Sequence, residues 1–188
     1  MLVLIGLGLE IVGILATLLV LDADASPLAL TGLLAIYGLG LGLASAQLTS
    51  TVLHDVPTDA SGQGSATQST VRQVGTAIGI AVSGAALSAG LAHGTASRLA
   101  SVGLEADQAA ELAGATRSSA GGIISGLREQ GTGGELGDLG PQVVHALSEA
   151  FASATQWSLI TALGFLTIGL LGAFRVRSAA LRTDQAGS

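Results

Sequence analysis

Residues 61–92 read SGQGSATQSTVRQVGTAIGIAVSGAALSAGLA. The stretch begins polar, with Ser, Gln and Thr, and carries one charge, Arg72, next to Gln73. Nineteen uncharged residues, 74–92, follow. Gly75, Gly79 and Ser83 recur every fourth residue, as do Ala77, Ala81 and Ala85. Four-residue spacing places each set along one side of a helix. The pattern predicts a helix that enters a membrane from a polar start and has small flanks, so that other helices can lie close.

Composition supports a bilayer setting. Mean hydropathy is +0.66, and only 11% of the 188 residues are charged, against roughly 25% in a soluble domain. A soluble chain of this size would need a charged exterior that this one lacks. The 28 glycines also fit membrane helices, where glycine is frequent. The net charge of −6 sits mostly in connections, and the seven basic residues are all Arg. No basic patch for nucleic acid is present. With no cysteine, disulfides and thiolate metal sites are excluded.

Residues 2–21 form a first apolar segment, about 30 Å long as a helix, which matches the hydrocarbon thickness. It lacks the basic start and cleavage site of a signal peptide. The run Asp22-Ala-Asp-Ala-Ser-Pro27 ends it, and Pro27 suits the opening of the next helix. The second segment covers 28–53, with Gly38, Gly40 and Gly42 at alternate positions. These glycines do not share one face, and they do not match a nucleotide-binding glycine loop. The polar connection 54–60 follows, where Pro57 and Asp59 break the helix and Thr58, Asp59 or Ser61 can cap the next one. The third span is expected over about 71–92.

Residues 93–149 are expected outside the bilayer. Residues 96–117 have helical composition with a mixed polar face, and the Gly-rich run 121–140 reads as a flexible loop. Pro141 suits a first helical turn leading to a last span at about 150–174, followed by the tail 175–188. Four spans put both ends of the chain on one side. Arg175, Arg177 and Arg182 argue that this side is cytoplasmic. The expected fold is therefore an all-α, multi-pass protein of the cell membrane.

Glu10 is the sharpest candidate site. A carboxylate in mid-bilayer costs about 2.5–3.5 kcal/mol or more when ionised, so it faces a bundle interior or water. Gly6, Gly13 and Thr17 fall on the same helical stripe. Two readings stand: a proton-coupling or substrate-path carboxylate, and a protonated group hydrogen-bonded to a neighbouring helix. Arg72 and Gln73 read as a cytoplasmic gate contact or as a headgroup anchor. Gly75, Gly79, Ser83, Gly38, Gly40 and Gly42 read as packing positions. Gln47, Thr49, Ser50 and Gln68 could line a polar path or make interhelical hydrogen bonds. Trp157 reads as an interfacial anchor. His54, His93 and His145 lack ligand spacing, so no metal or cofactor is expected. No acid–base pair is organised for catalysis either, with Glu129, Glu135 and Asp138 expected on a solvated face.

The run from Gly64-Ser65 through Arg72-Gln73-Val74-Gly75 to Gly79-Ile80-Ala81 resembles the penultimate membrane helix of the fourteen-helix drug:proton antiporters of the major facilitator superfamily. The preceding GLGLGLASAQLTSTVLHDVPTDASG resembles that family's Gly-rich helix and short cytoplasmic connection. The ending AFASATQWSLITALGFLTIGLLGAFRVRS resembles its last helix and basic tail. The resemblance implies a bundle that exports small hydrophobic compounds in exchange for protons. It covers only the last four helices, and alternating access needs one helix bundle moving against another. The chain is thus expected to be a C-terminal fragment whose partners are the lipid bilayer and the missing N-terminal helices. The start of the first span almost at Met1 agrees with that expectation. The alternative is a small self-standing four-span scaffold or subunit that oligomerises through its Gly/Ala faces.

Overall fold

A computed structural model describes residues 2–53, 56–57 and 59–186, with side chains described for 2–47, 56–57 and 59–175. Among the described residues six α-helices follow one another: α1 Leu2–Val20, α2 Pro27–Leu53, α3 Ser61–Ser101, α4 Ala106–Ser118, α5 Ile123–Gln130 and α6 Gly140–Ala186. Two short 3-10 helices, Gly131–Gly133 and Gly137–Leu139, join α5 to α6. No strand occurs among the described residues. Four stretches are long and apolar enough to cross a membrane: Leu2–Val20, Pro27–Gln47, Ser61–Ser101 and Gly137–Arg175. The described residues are therefore all-helical in class, with four helices long and apolar enough to span a membrane.

The turn between α1 and α2 follows from its residues. The Asp22 carboxylate accepts from the Asp24 N–H at 2.8 Å, an Asx turn that bends the chain locally. Pro27 then opens α2, where its missing N–H costs nothing. The Leu30 N–H donates to the Ser26 carbonyl at 3.1 Å.

The third and fourth long helices outrun the expected spans. α3 has 41 residues and α6 has 47, about 60 and 70 Å at 1.5 Å per residue. Each is about twice what a bilayer requires. No proline interrupts either helix interior, so nothing local ends them where hydropathy falls. α3 ends at Gly103 in a Schellman motif. Gly103 has φ +96°, its N–H donates to the Ala100 carbonyl, and the Leu104 N–H reaches back to Leu99. Of the expected caps of α3, Thr58 lies outside the described residues, and the helix begins at Ser61.

The chain divides into two units. The first comprises Met1–Val20, Ser26–Ala81 and Ala162–Ser188. Within it α1 lies along α2, and α1 buries Gly6, Glu10, Gly13, Ile14 and Thr17. Large apolar side chains such as Val12, Leu19, Leu28, Leu39 and Ile168 are exposed.

The second unit comprises Leu21–Ala25 and Val82–Thr161. Its core joins Leu99, Leu104, Ala109, Ile124, Val143, Val144, Ala146 and Leu147, with Leu127, Leu136 and Phe151 packed around them. The Gly-rich run 121–140, expected as a flexible loop, is instead α5 and two 3-10 turns. Ile124 of α5 is buried in the core. The glycines act as punctuation: Gly121, Gly131 and Gly137 all take positive φ, which costs glycine nothing. At Gly121 a Cβ would also sit 2.6 Å from the Phe151 ring, so absence of a side chain lets that ring pack.

Candidate functional site

Glu10 lies in the seam between α1 and α2. Its side chain is 3% exposed, and it is the only charged residue among the buried described residues. Glycines make the burial possible. A Cβ on Gly40 would lie 2.6 Å from the Gly6 carbonyl oxygen, 2.7 Å from the Glu10 nitrogen and 3.0 Å from Glu10 Cγ. A Cβ on Gly6 would meet the Ala44 nitrogen at 2.7 Å, and one on Gly13 would meet Tyr37 Cβ at 2.9 Å. The two backbones touch without intervening side chains, and the carboxylate of Glu10 is enclosed where they do. Thr17 on the same stripe satisfies its hydroxyl within α1, donating to the Gly13 carbonyl at 2.8 Å. Neither α1 nor α2 contains a basic residue. A buried carboxyl without a cation can lower its cost by carrying a proton.

The stripe Gly6–Glu10–Gly13–Thr17 is thus assembled as its spacing predicts. Of the three alternate glycines, only Gly40 enters the seam, because a helix turns by about 200° over two residues. Gly38 and Gly42 have nothing within 4 Å of an added Cβ. Tyr37 and Ala44, not singled out in the sequence, complete the α2 side. Their spacing of i−3 and i+4 from Gly40 is the signal that could have found them.

Arg72 and Gln73 are both exposed on α3. Arg72 borders a cavity of about 660 Å³ together with Gln63, Thr67, Gln68 and residues of the preceding connection. Val56, Ala60 and Val71 make much of its wall apolar, and Gln73 does not line it. Gly75 and Gly79 have open space around an added Cβ. Ser83 lies in the second unit, where its carbonyl accepts from the Ser158 hydroxyl at 3.1 Å. In that unit α3 also meets α6 at Gly90, whose Cβ would lie 2.9 Å from Ala154. Gly90 stands seven residues beyond Ser83, and that repeat was the available signal.

The second unit also collects polar groups. His145 lies 3.9 Å from Asp24 and 3.8 Å from Glu149. Gln156 donates to the Leu21 carbonyl at 2.8 Å. These residues and Arg98 line a cavity of about 330 Å³. Among the described residues no cluster of His, Cys, Asp and Glu has the makings of a metal site. His93 turns its Nδ1–H to the Ala89 carbonyl at 2.9 Å. Trp157 is 62% exposed, and Glu129, Glu135 and Asp138 are exposed. His54 lies outside the described residues, and the side chains of Thr49 and Ser50 are not among those described. Comparison with protein-family models, with curated proteins and with solved structures finds no match.

Proposed function

We propose that the chain is a helical part of a proton-coupled efflux transporter of the major facilitator kind. It exports hydrophobic compounds across the cell membrane together with further transmembrane helices. In this reading both termini face the cytoplasm, Glu10 is the carboxylate that takes up and releases the proton, and Arg72 and Gln73 stand at the cytoplasmic mouth. The observation that carries the reading is the enclosure of Glu10 at 3% exposure in a glycine seam free of basic residues. A carboxyl in such a place changes its charge only when the helices around it move. That is the coupling a proton-driven exporter needs. The need for further helices rests on the open faces of Gly75 and Gly79.

The test is export of a fluorescent hydrophobic cation from cells that express the protein from its native locus. Glu10→Gln is expected to lower proton-driven export at least about tenfold, which corresponds to about 1.4 kcal/mol. Glu10→Asp is expected to keep part of it. Unchanged export with unchanged pH dependence in Glu10→Gln would contradict the proposal.

The open Gly75/Gly79 face favours one second reading, a self-standing scaffold whose copies associate through α3. The mass of the complex extracted in mild detergent separates the two. A homo-oligomer that Gly75→Leu dissociates supports the scaffold. A complex containing other transmembrane helices supports the transporter.

A further inference from the structure

Within the second unit, α3 and α6 run side by side. They are pinned at Ser83–Ser158 and at Gly90–Ala154. Between them opens a groove of about 520 Å³, inside the range of small-molecule sites. One part of its wall is apolar and low: Ala86, Ala89, Gly90, Ala150 and Ala154. Trp157 stands at its side and Arg98 borders it.

Arg98 has a guanidinium with five donors and little to give them to. Both terminal nitrogens lie 3.4 Å from one acceptor, Ser153 Oγ. No carboxylate lines the groove. Three carboxylates of this unit, Asp22, Asp24 and Glu149, line the neighbouring cavity that Arg98 also borders; Asp24 and Glu149 lie within 4 Å of His145, and Asp22 accepts from the Asp24 N–H. Arg128 of the same unit is the useful contrast. It also donates to a serine, Ser148 at 3.2 Å, but it lines neither of these two cavities.

We propose that this groove binds an anionic amphiphile. Its phosphate or carboxylate head sits on Arg98 and Ser153, and its apolar chain lies along the Ala/Gly wall against Trp157. A planar guanidinium fork matches phosphate and carboxylate oxygens. The small-residue wall leaves room for a chain, and the exposed indole offers it a flat apolar side. The head can come from a membrane lipid or from a free amphiphile. The assignment holds whether or not Glu10 couples to protons.

Trp157 is the single tryptophan, so its fluorescence reports on the groove directly. The full chain in nanodiscs of phosphatidylcholine is titrated with dodecyl phosphate and, separately, with dodecyl maltoside. Dodecyl phosphate is expected to give a saturable change in Trp157 emission, and the neutral maltoside is not. Arg98→Gln is expected to weaken dodecyl phosphate at least tenfold, with Arg98→Lys in between. Ala89→Leu, which keeps Arg98 but fills the groove, is expected to weaken it as well. Arg128→Gln is expected to leave it unchanged. Helical content by circular dichroism shows which variants fold. Repeating the titration in phosphatidylglycerol nanodiscs identifies the source. Competition by that lipid makes a headgroup the occupant, and binding without competition makes it a free anion. Equal responses to phosphate and maltoside would overturn the proposal. So would undiminished binding in both a folded Arg98→Gln and a folded Ala89→Leu.

Discussion

The positions buried in the α1–α2 seam include Gly6, Glu10, Gly13 and Thr17, while Val12, Leu15 and Leu19 of the same helix are exposed. In the second unit the buried positions are Leu99, Val143 and Leu147, while Glu105, Asp107, Glu111 and Arg117 are exposed. The two interiors are inverted. Where water is the solvent, apolar burial stabilises by about 25 cal/mol per Å², so leucines go inside. In lipid that gain vanishes, because the tails are as apolar as leucine. What remains is close van der Waals contact, which small residues permit, and enclosure of the few polar groups. The small-residue packing of α1 and α2 is the kind that helices in lipid use, and the leucine-centred core of the second unit is the kind that apolar burial from water favours.

Substitutions can break this contrast in a defined order. Leu147→Ala removes a fully buried side chain from the second unit and is expected to cost about 2–5 kcal/mol. Thermal melting of the purified chain in mild detergent, followed by tryptic cleavage at Arg117 and Arg128, checks it. Cleavage there should begin at lower temperature, while amide exchange in α1 and α2, which hold no tryptic site, stays as in the unaltered chain. Gly40→Ala comes next. Its Cβ would meet backbone at 2.6 and 2.7 Å, and such overpacking costs about 1–3 kcal/mol. The expected result is a loosened seam, seen as faster exchange of α1 amides. Gly103→Ala forces a side chain to φ +96° at the end of α3 and is expected to cost about 1–2 kcal/mol. Gly38→Ala and Gly42→Ala meet nothing within 4 Å and should stay within about 0.5 kcal/mol of the unaltered chain. A Gly38→Ala loss as large as that of Gly40→Ala would refute the assignment of the seam.

The same contrast explains what the sequence made legible. Hydropathy and length located all four apolar helices, because lipid imposes both. The stripe around Glu10 was legible because i, i+3, i+4 and i+7 spacing is fixed by the helix itself. Which of Gly38, Gly40 and Gly42 meets α1 was not, since that depends on a partner helix and not on local pattern. The run 121–140 misled for a physical reason. Glycine richness is the signature both of flexible linkers and of tight turns at positive φ. Ile124, Leu127 and Leu136 supply apolar contacts that distinguish the second case, but they are sparse and have no long periodicity. The proximity of His145 to Asp24 joins residues over a hundred positions apart, and no local signal carries it.

In the proposed function Glu10 is a carboxyl that exchanges a proton inside the glycine seam. Infrared difference spectroscopy of the protein in lipid, recorded as the pH is stepped, observes that proton directly. The expected result is a carboxylic-acid carbonyl band that responds to pH, disappears in Glu10→Gln and moves in Gly40→Ala. A pH response identical in the unaltered protein and in Glu10→Gln would contradict it.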